Sequence, residues 1–336
     1  MKSLAFLMHK NFEGRFRVKE FIPFFEQNGV SVRLVRVPEG PAARVRTLWS
    51  LRDFDVVVIQ RKLLTPFDLF LVRRWTKRVI FDFDDAIMYR SSRHKNQSSR
   101  QRMKRFANMI RSVDAVTAGN SYLAEQAARF IDRDRIFIVP TVVDVTEYGV
   151  KDYTHDSNEF IVGWIGSSST LHYLASIAPA LQKAAGRLDN LRLKIVCDRF
   201  IDIDGVQVIK KPWRPEDVSE DLTSFDVGVM PISDDPWTRG KCGLKVVQYL
   251  AAGVPAIASP VGINRDLVVP GETGLWAETL DDWEERFITL ARDKDLRVKM
   301  GRAGRRLVEE RFSLQETAPR YLEILRMVQK MKRSHS

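Results

Sequence analysis

Short apolar runs alternate with longer amphipathic stretches along the whole chain. Six runs in the first half have the length and composition of buried β-strands. These predicted strands span residues 4–8, 30–37, 55–60, 78–84, 115–120 and 136–140. Helical patterns lie between them, most clearly at 17–29 and 121–130. Strands that alternate with helices predict a parallel sheet that is covered on both faces.

A second series of the same kind follows a polar stretch without periodicity at 144–158. A helix is expected around 170–188, and another begins after residue 241. The predicted strands of this series span 160–166, 191–197, 206–210, 225–231 and 255–259. Two α/β units of similar size are therefore expected, with a ligand cleft between them at the C-terminal ends of the strands.

The closing stretch, residues 313–333, carries apolar residues at helical spacing. These apolar positions are 322, 325, 328 and 331. The spacing predicts a long amphipathic helix, and the proline at 319 predicts that this helix is broken or begins there.

Composition narrows the class of protein. A chain of 336 residues can form two domains, each with its own core. The two cysteines, Cys197 and Cys242, lack metal-ligand spacing and fit a reducing compartment. The first apolar run is too short for a signal peptide, and no run approaches membrane-spanning length. A cytoplasmic protein is expected.

Positive charge is concentrated in the first half of the chain. Residues 1–150 hold 27 Lys and Arg against 16 Asp and Glu, whereas the remainder holds 27 of each. The densest segment, 90–111, has eight Lys and Arg and no acidic residue. A solvated helix face is one interpretation. We favour a surface for polyanions, either phospholipid headgroups or nucleic acid.

The segment GKCGLKVVQYLAAGVPAIAS, residues 240–259, places Lys241 and Lys245 on either side of Gly243 at the start of a predicted helix. Cations at a helix N-terminus oppose the macrodipole, so an anion held there is the simplest explanation. The backbone N–H groups of Gly243 and Leu244, with both ammonium groups, predict a site for a diphosphate. Solvated lysines beside a tight turn are the alternative.

Two neighbours of the lysines complete this candidate site. Gln248 lies one turn further along the predicted helix, where its amide would hydrogen-bond a ribose. Cys242 lies beside the anion site without a base partner, and we interpret it as a small packing residue.

Three further segments are candidates for ligand contact. GWIGSSST, residues 163–170, has the strand–glycine–hydroxyl–helix layout of a phosphate site, with Gly166, Ser167 and Ser168 at the turn. Helix capping by Ser168 or Ser169 is the alternative. In the first loop, residues 9–20, Gly14 permits close backbone approach, and Arg15 or Arg17 would meet a phosphate. Trp213, after the predicted strand at 206–210, would either contact a ligand or fill a gap.

FDFDDA, residues 81–86, places three carboxylates at the tip of a predicted strand. A D-x-D pattern formed by Asp82 and Asp84 is compatible with a divalent metal. N-capping together with pairing to nearby arginines is the alternative. His94, in the basic segment, is a weaker candidate for a catalytic role.

GLKVVQYLAAGVPAIASPVG, with VVPGETGLW at 268–276, resembles the donor-binding signature of retaining GT-B glycosyltransferases of the GT4 family. VVPTVVD, residues 138–144, is similar to the segment that ends their first domain. The resemblance covers essentially the whole chain. It implies two Rossmann-like domains, 1–150 for the acceptor and 151–312 for the donor. The closing segment, 313–336, would cross back onto the first domain.

The resemblance also implies an activity. The donor would be a nucleotide diphosphate sugar, and the acceptor a carbohydrate or a lipid-linked sugar. Lys241 and Lys245 would neutralise the leaving diphosphate, and no metal or other cofactor would be required. Asp84 or Asp85 would orient or deprotonate the acceptor hydroxyl. The base would be held near Trp213, whose ring would stack on it or fill a gap. Residues 90–111 would contact the anionic inner face of the plasma membrane peripherally.

The sequence departs from the family pattern at the two positions that often hold glutamates. These positions are Gly240 and Gln248, aligned through the Gly-Val-Pro turn. The resemblance is closest to bacterial surface-polysaccharide transferases with lysines at this site. Asp234 and Asp235 are candidates for the missing sugar contact.

Three alternatives remain open at this point. A nucleic-acid-binding protein would use residues 90–111, but this segment lacks interleaved aromatic residues. A nucleotide-dependent oxidoreductase is disfavoured because the glycine fingerprint is missing. A GT-B relative without activity, acting as a scaffold, is kept open by Gly240.

Overall fold

The structure is a computed structural model that describes residues 1–8, 14–154 and 158–331. The chain divides into two compact units. Unit 1 comprises Met1–Val142, Asp235–Cys242 and Leu314–Ser336, and unit 2 comprises Val143–Asp234 and Gly243–Ser313. Unit 1 thus takes in the short segment Asp235–Cys242, which the sequence pattern places in the second domain.

Unit 1 contains a six-stranded parallel sheet in which β3 and β4 lie at the centre. Its strand order is β2-β1-β3-β4-β5-β6. All six strands predicted for the first half are confirmed. The strands are β1 Ser3–Met8, β2 Ser31–Arg36, β3 Val56–Gln60, β4 Val79–Phe83, β5 Ala115–Ala118 and β6 Ile136–Ile138.

Helices cover both faces of this sheet. The first five are α1 Ile22–Gln27, α2 Pro41–Ser50, α3 Pro66–Trp75, α4 Arg100–Arg111 and α5 Ser121–Ala128. Buried side chains of α2 to α5 share one core cluster with the sheet, whereas α1 contributes to the cluster on the other face. The helix predicted over 17–29 begins with two short 3-10 turns, since Val18 (φ −135°, ψ −61°) leaves the helical conformation.

Unit 2 repeats the plan with a second six-stranded parallel sheet, in the order β12-β11-β10-β7-β8-β9. The five strands predicted for this half are confirmed. A sixth, β12, was not predicted because three residues are too short for a periodic signal. The strands are β7 Phe160–Ile165, β8 Leu191–Cys197, β9 Gln207–Pro212, β10 Val227–Met230, β11 Ala256–Ala258 and β12 Gly274–Trp276.

The helix predicted over 170–188 is divided into two at Ile177. Pro179 lies in the first turn of the second helix and has no N–H to continue the first. The helices of unit 2 are α6 Leu171–Ser176, α7 Ala178–Ala185, α8 Val218–Thr223, α9 Leu244–Ala251, α10 Asn264–Leu267, α11 Leu280–Arg292 and α12 Lys294–Arg311.

The closing helix, α13 Leu314–Lys330, belongs to unit 1. It buries Leu322, Leu325 and Val328, as the apolar spacing predicts, in the same cluster as α1. The prediction that the helix breaks or begins near Pro319 was wrong, because this proline lies inside a continuous helix. The α/β class with two parallel sheets is confirmed. Among the described helices, none combines the length and hydrophobicity needed to cross a bilayer.

Candidate active site

The turn after β7 and the N-terminus of α9, two separate candidates in the sequence, meet in unit 2. Lys245 lies in the first turn of α9, and its Nζ is 3.9 Å from the centre of the Trp164 ring. The same Nζ donates to Thr170 Oγ1 at 3.2 Å. A Cβ on Gly166 would lie 2.5 Å from this Nζ and 2.8 Å from the Trp164 ring, so a larger residue at this position would displace the lysine.

Gly243 sets the start of α9. Its φ of 67° is in the left-handed region, and an added Cβ would lie 2.4 Å from Leu267. Glycine is therefore required at this position. The helix has no side-chain cap and no acidic residue in its first turn, whereas Lys245 lies there. This N-terminus, beginning at Leu244, has the character of an anion site.

Asp198, which follows β8, closes the serine turn and was missed by the sequence analysis. Its carboxylate accepts hydrogen bonds from the backbone N–H and the hydroxyl of Ser168, both at 2.7 Å. These bonds lower the pKa of Asp198 to about 2. The Ser167 and Ser169 hydroxyls lie 2.6 Å apart. Ser168 thus holds the turn together in this structure, and its contact with a donor stays a prediction.

Gln248 and Trp213 differ in their exposure. Gln248 is buried, and its Nε2 donates to the Tyr148 hydroxyl at 3.1 Å. A ribose contact by Gln248 stays a prediction that requires this bond to be exchanged. Trp213 directly follows β9 and is 46% exposed, and its backbone N–H donates to the Cys197 carbonyl. Its indole is accessible for stacking.

In unit 1, Asp84 and Asp85 follow β4 and are held by Arg61, which follows β3. Arg61 Nε lies 3.0 Å from Asp84 Oδ1, and an Nη of Arg61 contacts Asp85. Among the described residues, Arg61 is the only non-glycine with a positive φ, at 54°. Such backbone strain persists where surrounding contacts fix it, often at functional sites. The sequence analysis missed Arg61, and the one local signal for it is its position directly after the predicted strand at 55–60.

Lys241 lies in unit 1, where its ammonium group contacts a carboxylate. Its Nζ donates to Asp85 Oδ1 at 2.9 Å and lies 4.9 Å from the centre of the Trp237 ring. Its backbone carbonyl accepts from Asn120 Nδ2 at 2.9 Å. Lys241 and Lys245 therefore have different partners in different units. A contact between Lys241 and a diphosphate stays a prediction.

The thiol of Cys242 is buried and lies 3.3 Å from the Asp84 carbonyl oxygen, to which it donates. Burial, together with the negative charge of Asp84, raises the pKa of Cys242 to about 12. The thiol therefore stays protonated near neutral pH, as the packing interpretation requires.

Asp82 has a structural role. Its buried carboxylate contacts Arg17 and accepts from Gln60 Nε2 at 2.7 Å and from Thr117 Oγ1 at 2.6 Å. Arg17 is 2% exposed and paired with Asp82, so a contact between Arg17 and a phosphate stays a prediction that requires this pair to open. Throughout the described ranges, no group of three His, Cys, Asp or Glu side chains is arranged to hold a metal ion.

The remaining candidates of unit 1 have local partners. Gly14 has a φ of 61°, and its carbonyl accepts from the N–H of Val18, while Arg15 pairs with Glu20 at 3.0 Å. The rest of the first loop, residues 9–13, lies outside the described residues. The Asp235 carboxylate accepts hydrogen bonds from the backbone N–H groups of Trp237 and Thr238, in the turn that follows it. These bonds account for the position of the Asp235 carboxylate without a sugar contact.

Gly240, where the resembled family often has glutamate, is a packing glycine. A Cβ at this position would lie 2.6 Å from the Ala86 Cβ and 2.8 Å from the Ala86 backbone nitrogen. We expect Gly240→Ala to lower the free energy of unfolding by about 1–3 kcal/mol, because backbone atoms must shift. Urea unfolding would measure this.

The matched control for that measurement is Gly186→Ala. Gly186 follows α7 with a helical backbone (φ −66°, ψ −13°), and the nearest neighbour of an added Cβ would be the Lys183 carbonyl oxygen at 3.5 Å. This variant should unfold at the same urea concentration as the wild type or slightly higher. Equal midpoints for both alanine variants would contradict the packing explanation of Gly240.

Comparisons with known proteins agree with this architecture. Residues 159–293 match the family model described as Glycosyl transferases group 1. Sucrose-phosphate synthase from Thermosynechococcus elongatus superposes with a TM-score of 0.75 at 14% identity, covering 98% of this chain and 99% of that chain. None of the curated proteins matches the sequence at a significant level.

Two further solved structures are similar along almost their entire length. HepE from Anabaena, solved in complex with UDP and glucose, has a TM-score of 0.73 at 13% identity, covering 97% of this chain and 100% of that one. A glycosyltransferase from Rickettsia africae has a TM-score of 0.70 at 14% identity, covering 98% and 99%. The GT-B fold expected from the sequence is confirmed.

Proposed function

We propose that this protein, a glycosyltransferase with the GT-B fold, transfers a sugar from a nucleotide diphosphate sugar with retention of configuration. Its acceptor is a carbohydrate or a lipid-linked sugar used in cell-surface polysaccharide or glycolipid synthesis. The observation that carries the proposal is the position of Lys245, over Gly166 and at the uncapped N-terminus of α9.

Unit 2 supplies the groups that a diphosphate sugar needs. The N-terminal amides of α9 donate to phosphate oxygens, and the Lys245 ammonium balances their charge. Gly166, where the turn begins, lies beside that ammonium, which supports a contact of Gly166 and Ser167 with the sugar and its phosphate. Trp213 offers an exposed ring for the base.

The chemistry needs negative charge to be stabilised as the bond between sugar and phosphate breaks. Lys245 and the helix amides are fixed in place before the reaction, so they stabilise the leaving diphosphate without reorganising. Because fixed cations and dipoles do this, we propose that no metal ion or other cofactor is required. In a retaining reaction, the leaving phosphate also helps to accept the proton of the acceptor hydroxyl.

Unit 1 supplies the acceptor side. Asp84 and Asp85 lie half-buried at the end of β4, fixed by Arg61. They would orient the acceptor hydroxyl by accepting its hydrogen bond. Asp85 is already held by two cations, Arg61 and Lys241, so a role as proton acceptor requires these contacts to loosen. Asp84 is the simpler candidate for that role.

A thermal-shift panel of UDP-, GDP-, ADP- and CMP-sugars tests the donor class. We expect one nucleotide class to raise the melting temperature, and we expect UDP-sugars to do so because HepE was solved with UDP and with UDP-glucose. The anomeric configuration of the product, determined by NMR, tests retention. No stabilisation by any nucleotide sugar, together with no donor hydrolysis, would favour the scaffold alternative.

We also propose a cytoplasmic location with peripheral contact at the inner face of the plasma membrane. The support for this contact is the basic segment 90–111, of which residues 100–111 form α4 with Arg and Lys on its exposed side. Attraction between these cations and anionic headgroups falls with rising salt, which liposome binding measures.

A further inference from the structure

Two phenylalanines of α3 are exposed to an unusual degree. Phe67 and Phe70 are 62% and 63% exposed, the largest values among the exposed large apolar side chains of the described residues. They are three residues apart and share one face of the helix. Leu69 and Val72 fill the core from the opposite face. Packing within unit 1 therefore does not account for the two aromatic rings.

The helices around these rings present cations without exposed carboxylates. Helices α2, α3 and α4 together contain nine Lys and Arg and a single acidic residue, Asp68. Asp68 is buried and paired with Arg44 at 3.3 Å. The exposed cations of the three helices are Arg46, Arg74, Arg100, Arg102, Lys104, Arg105 and Arg111. The exposed charged side chains of these three helices are therefore all positive.

The aromatic and basic residues lie on one side of unit 1. Helices α2, α3 and α4 bury their inner faces in the same core cluster, so they cover the same face of the sheet. Because α3 follows β3 and α4 follows β4, both helices begin at the carboxyl edge of the parallel sheet. Phe67 and Phe70 lie in the first half of α3, at the end that holds Asp84 and Asp85.

We propose that Phe67 and Phe70, together with the exposed cations of α4, dock on an anionic phospholipid bilayer. The inference rests on the proposed function, since it supplies the position from which a lipid-linked acceptor is reached. Cations without exposed carboxylates complement a negative leaflet, and aromatic rings enter the boundary between headgroups and acyl chains. The carboxyl edge of the sheet then lies near the headgroups.

This surface makes a different prediction from charge attraction through residues 90–111 alone. Purely electrostatic binding disappears when salt is raised, because screening weakens each contact. Burial of two phenyl rings in lipid is insensitive to screening, so part of the binding should persist in high salt.

Sedimentation with vesicles tests the docking surface. The probes are vesicles of phosphatidylcholine alone and of phosphatidylcholine mixed with phosphatidylglycerol. We expect the wild type to bind the mixed vesicles more tightly than phosphatidylcholine alone and to remain partly bound to them in high salt. The double variant Phe67→Ser/Phe70→Ser should bind at least about tenfold more weakly and be released completely by salt. The triple variant Arg100→Gln/Lys104→Gln/Arg105→Gln should lose the salt-sensitive part.

The matched control is Met327→Ser on α13. Met327 is also exposed and apolar, but it lies on a helix that packs on the opposite face of the sheet. The Met327→Ser variant should bind the vesicles as tightly as the wild type does. Wild-type binding by the phenylalanine variant, or no vesicle binding by the wild type, would overturn the proposal.

Two further measurements distinguish lipid docking from self-association and from a defect in the donor site. If sedimentation velocity shows a wild-type dimer that the phenylalanine substitutions dissociate, the surface is an interface between copies and the lipid proposal is overturned. The thermal shift with nucleotide sugars should be unchanged in the phenylalanine variant, since Phe67 and Phe70 lie outside unit 2. Failure of vesicle binding with intact donor binding would therefore contradict only the docking surface.

Discussion

Lys245→Ala should lower the rate of nucleoside diphosphate release at saturating donor by about 10²–10³-fold. This corresponds to about 3–4 kcal/mol of lost transition-state stabilisation, the usual cost of removing one fixed donor from a developing anion. KM should rise less, because the charge on the diphosphate grows as the sugar departs. Steady-state kinetics on the donor selected by the thermal-shift panel would measure both constants.

Two variants control for this result. Lys183→Ala removes an exposed lysine of the same unit that pairs with Asp281 on the surface, and it should leave both constants unchanged. Lys245→Arg keeps the charge and should recover part of the rate, although its larger head must pass over Gly166. Unchanged kinetics in Lys245→Ala would remove the central support for the proposed donor site.

Lys241→Ala tests a separate question, because the Lys241 ammonium contacts Asp85 in this structure whereas the Lys245 ammonium contacts Thr170. A loss similar to that of Lys245→Ala would mean that Lys241 leaves Asp85 to meet the donor. If only the kcat or KM measured with varied acceptor changes, Lys241 acts through Asp85, to which it donates a hydrogen bond in this structure.

Arg17→Met should lower the free energy of unfolding by about 3–5 kcal/mol. Removal of the guanidinium leaves the Asp82 carboxylate in the core of unit 1 with neutral partners only, Gln60 and Thr117. A buried charge that has lost its counterion carries a large desolvation cost. Urea unfolding followed by circular dichroism would measure the change.

The double variant Arg17→Met/Asp82→Leu should recover most of that loss, because neither charge then remains buried. Arg133→Met breaks an exposed pair with Glu125 and should leave stability unchanged. A double variant no more stable than Arg17→Met would show that the loss comes from packing and not from the unpaired carboxylate.

Much of the fold follows from the sequence, because hydrophobic spacing reports which residues face a core. The eleven predicted strands match β1 to β11, and the apolar spacing of α13 matches its buried face. Errors arose where one residue decided the local path. Ile177 separates two helices before Pro179, whereas Pro319 is accommodated within a helix.

The candidate site could be predicted only in part. Gly166 and Lys245 stand out by residue type and by their position beside predicted elements, and the structure brings them together. Arg61 and Asp198 were missed. Each directly follows a strand that neighbours one of the predicted site strands, β3 beside β4 and β8 beside β7. Strand order is set by long-range pairing, which local patterns do not encode.

The sequence by itself determined the two parallel α/β units and the closing helix, and it predicted an anion site at the N-terminus of α9. These follow from periodicity, glycine positions and the sign of nearby charges, all of which are local properties. Only the tertiary structure decided which charges are already paired. Lys241 meets Asp85 and Asp82 meets Arg17 across 156 and 65 residues of chain. Such partners are fixed by which strand ends lie side by side, and no local pattern contains that information.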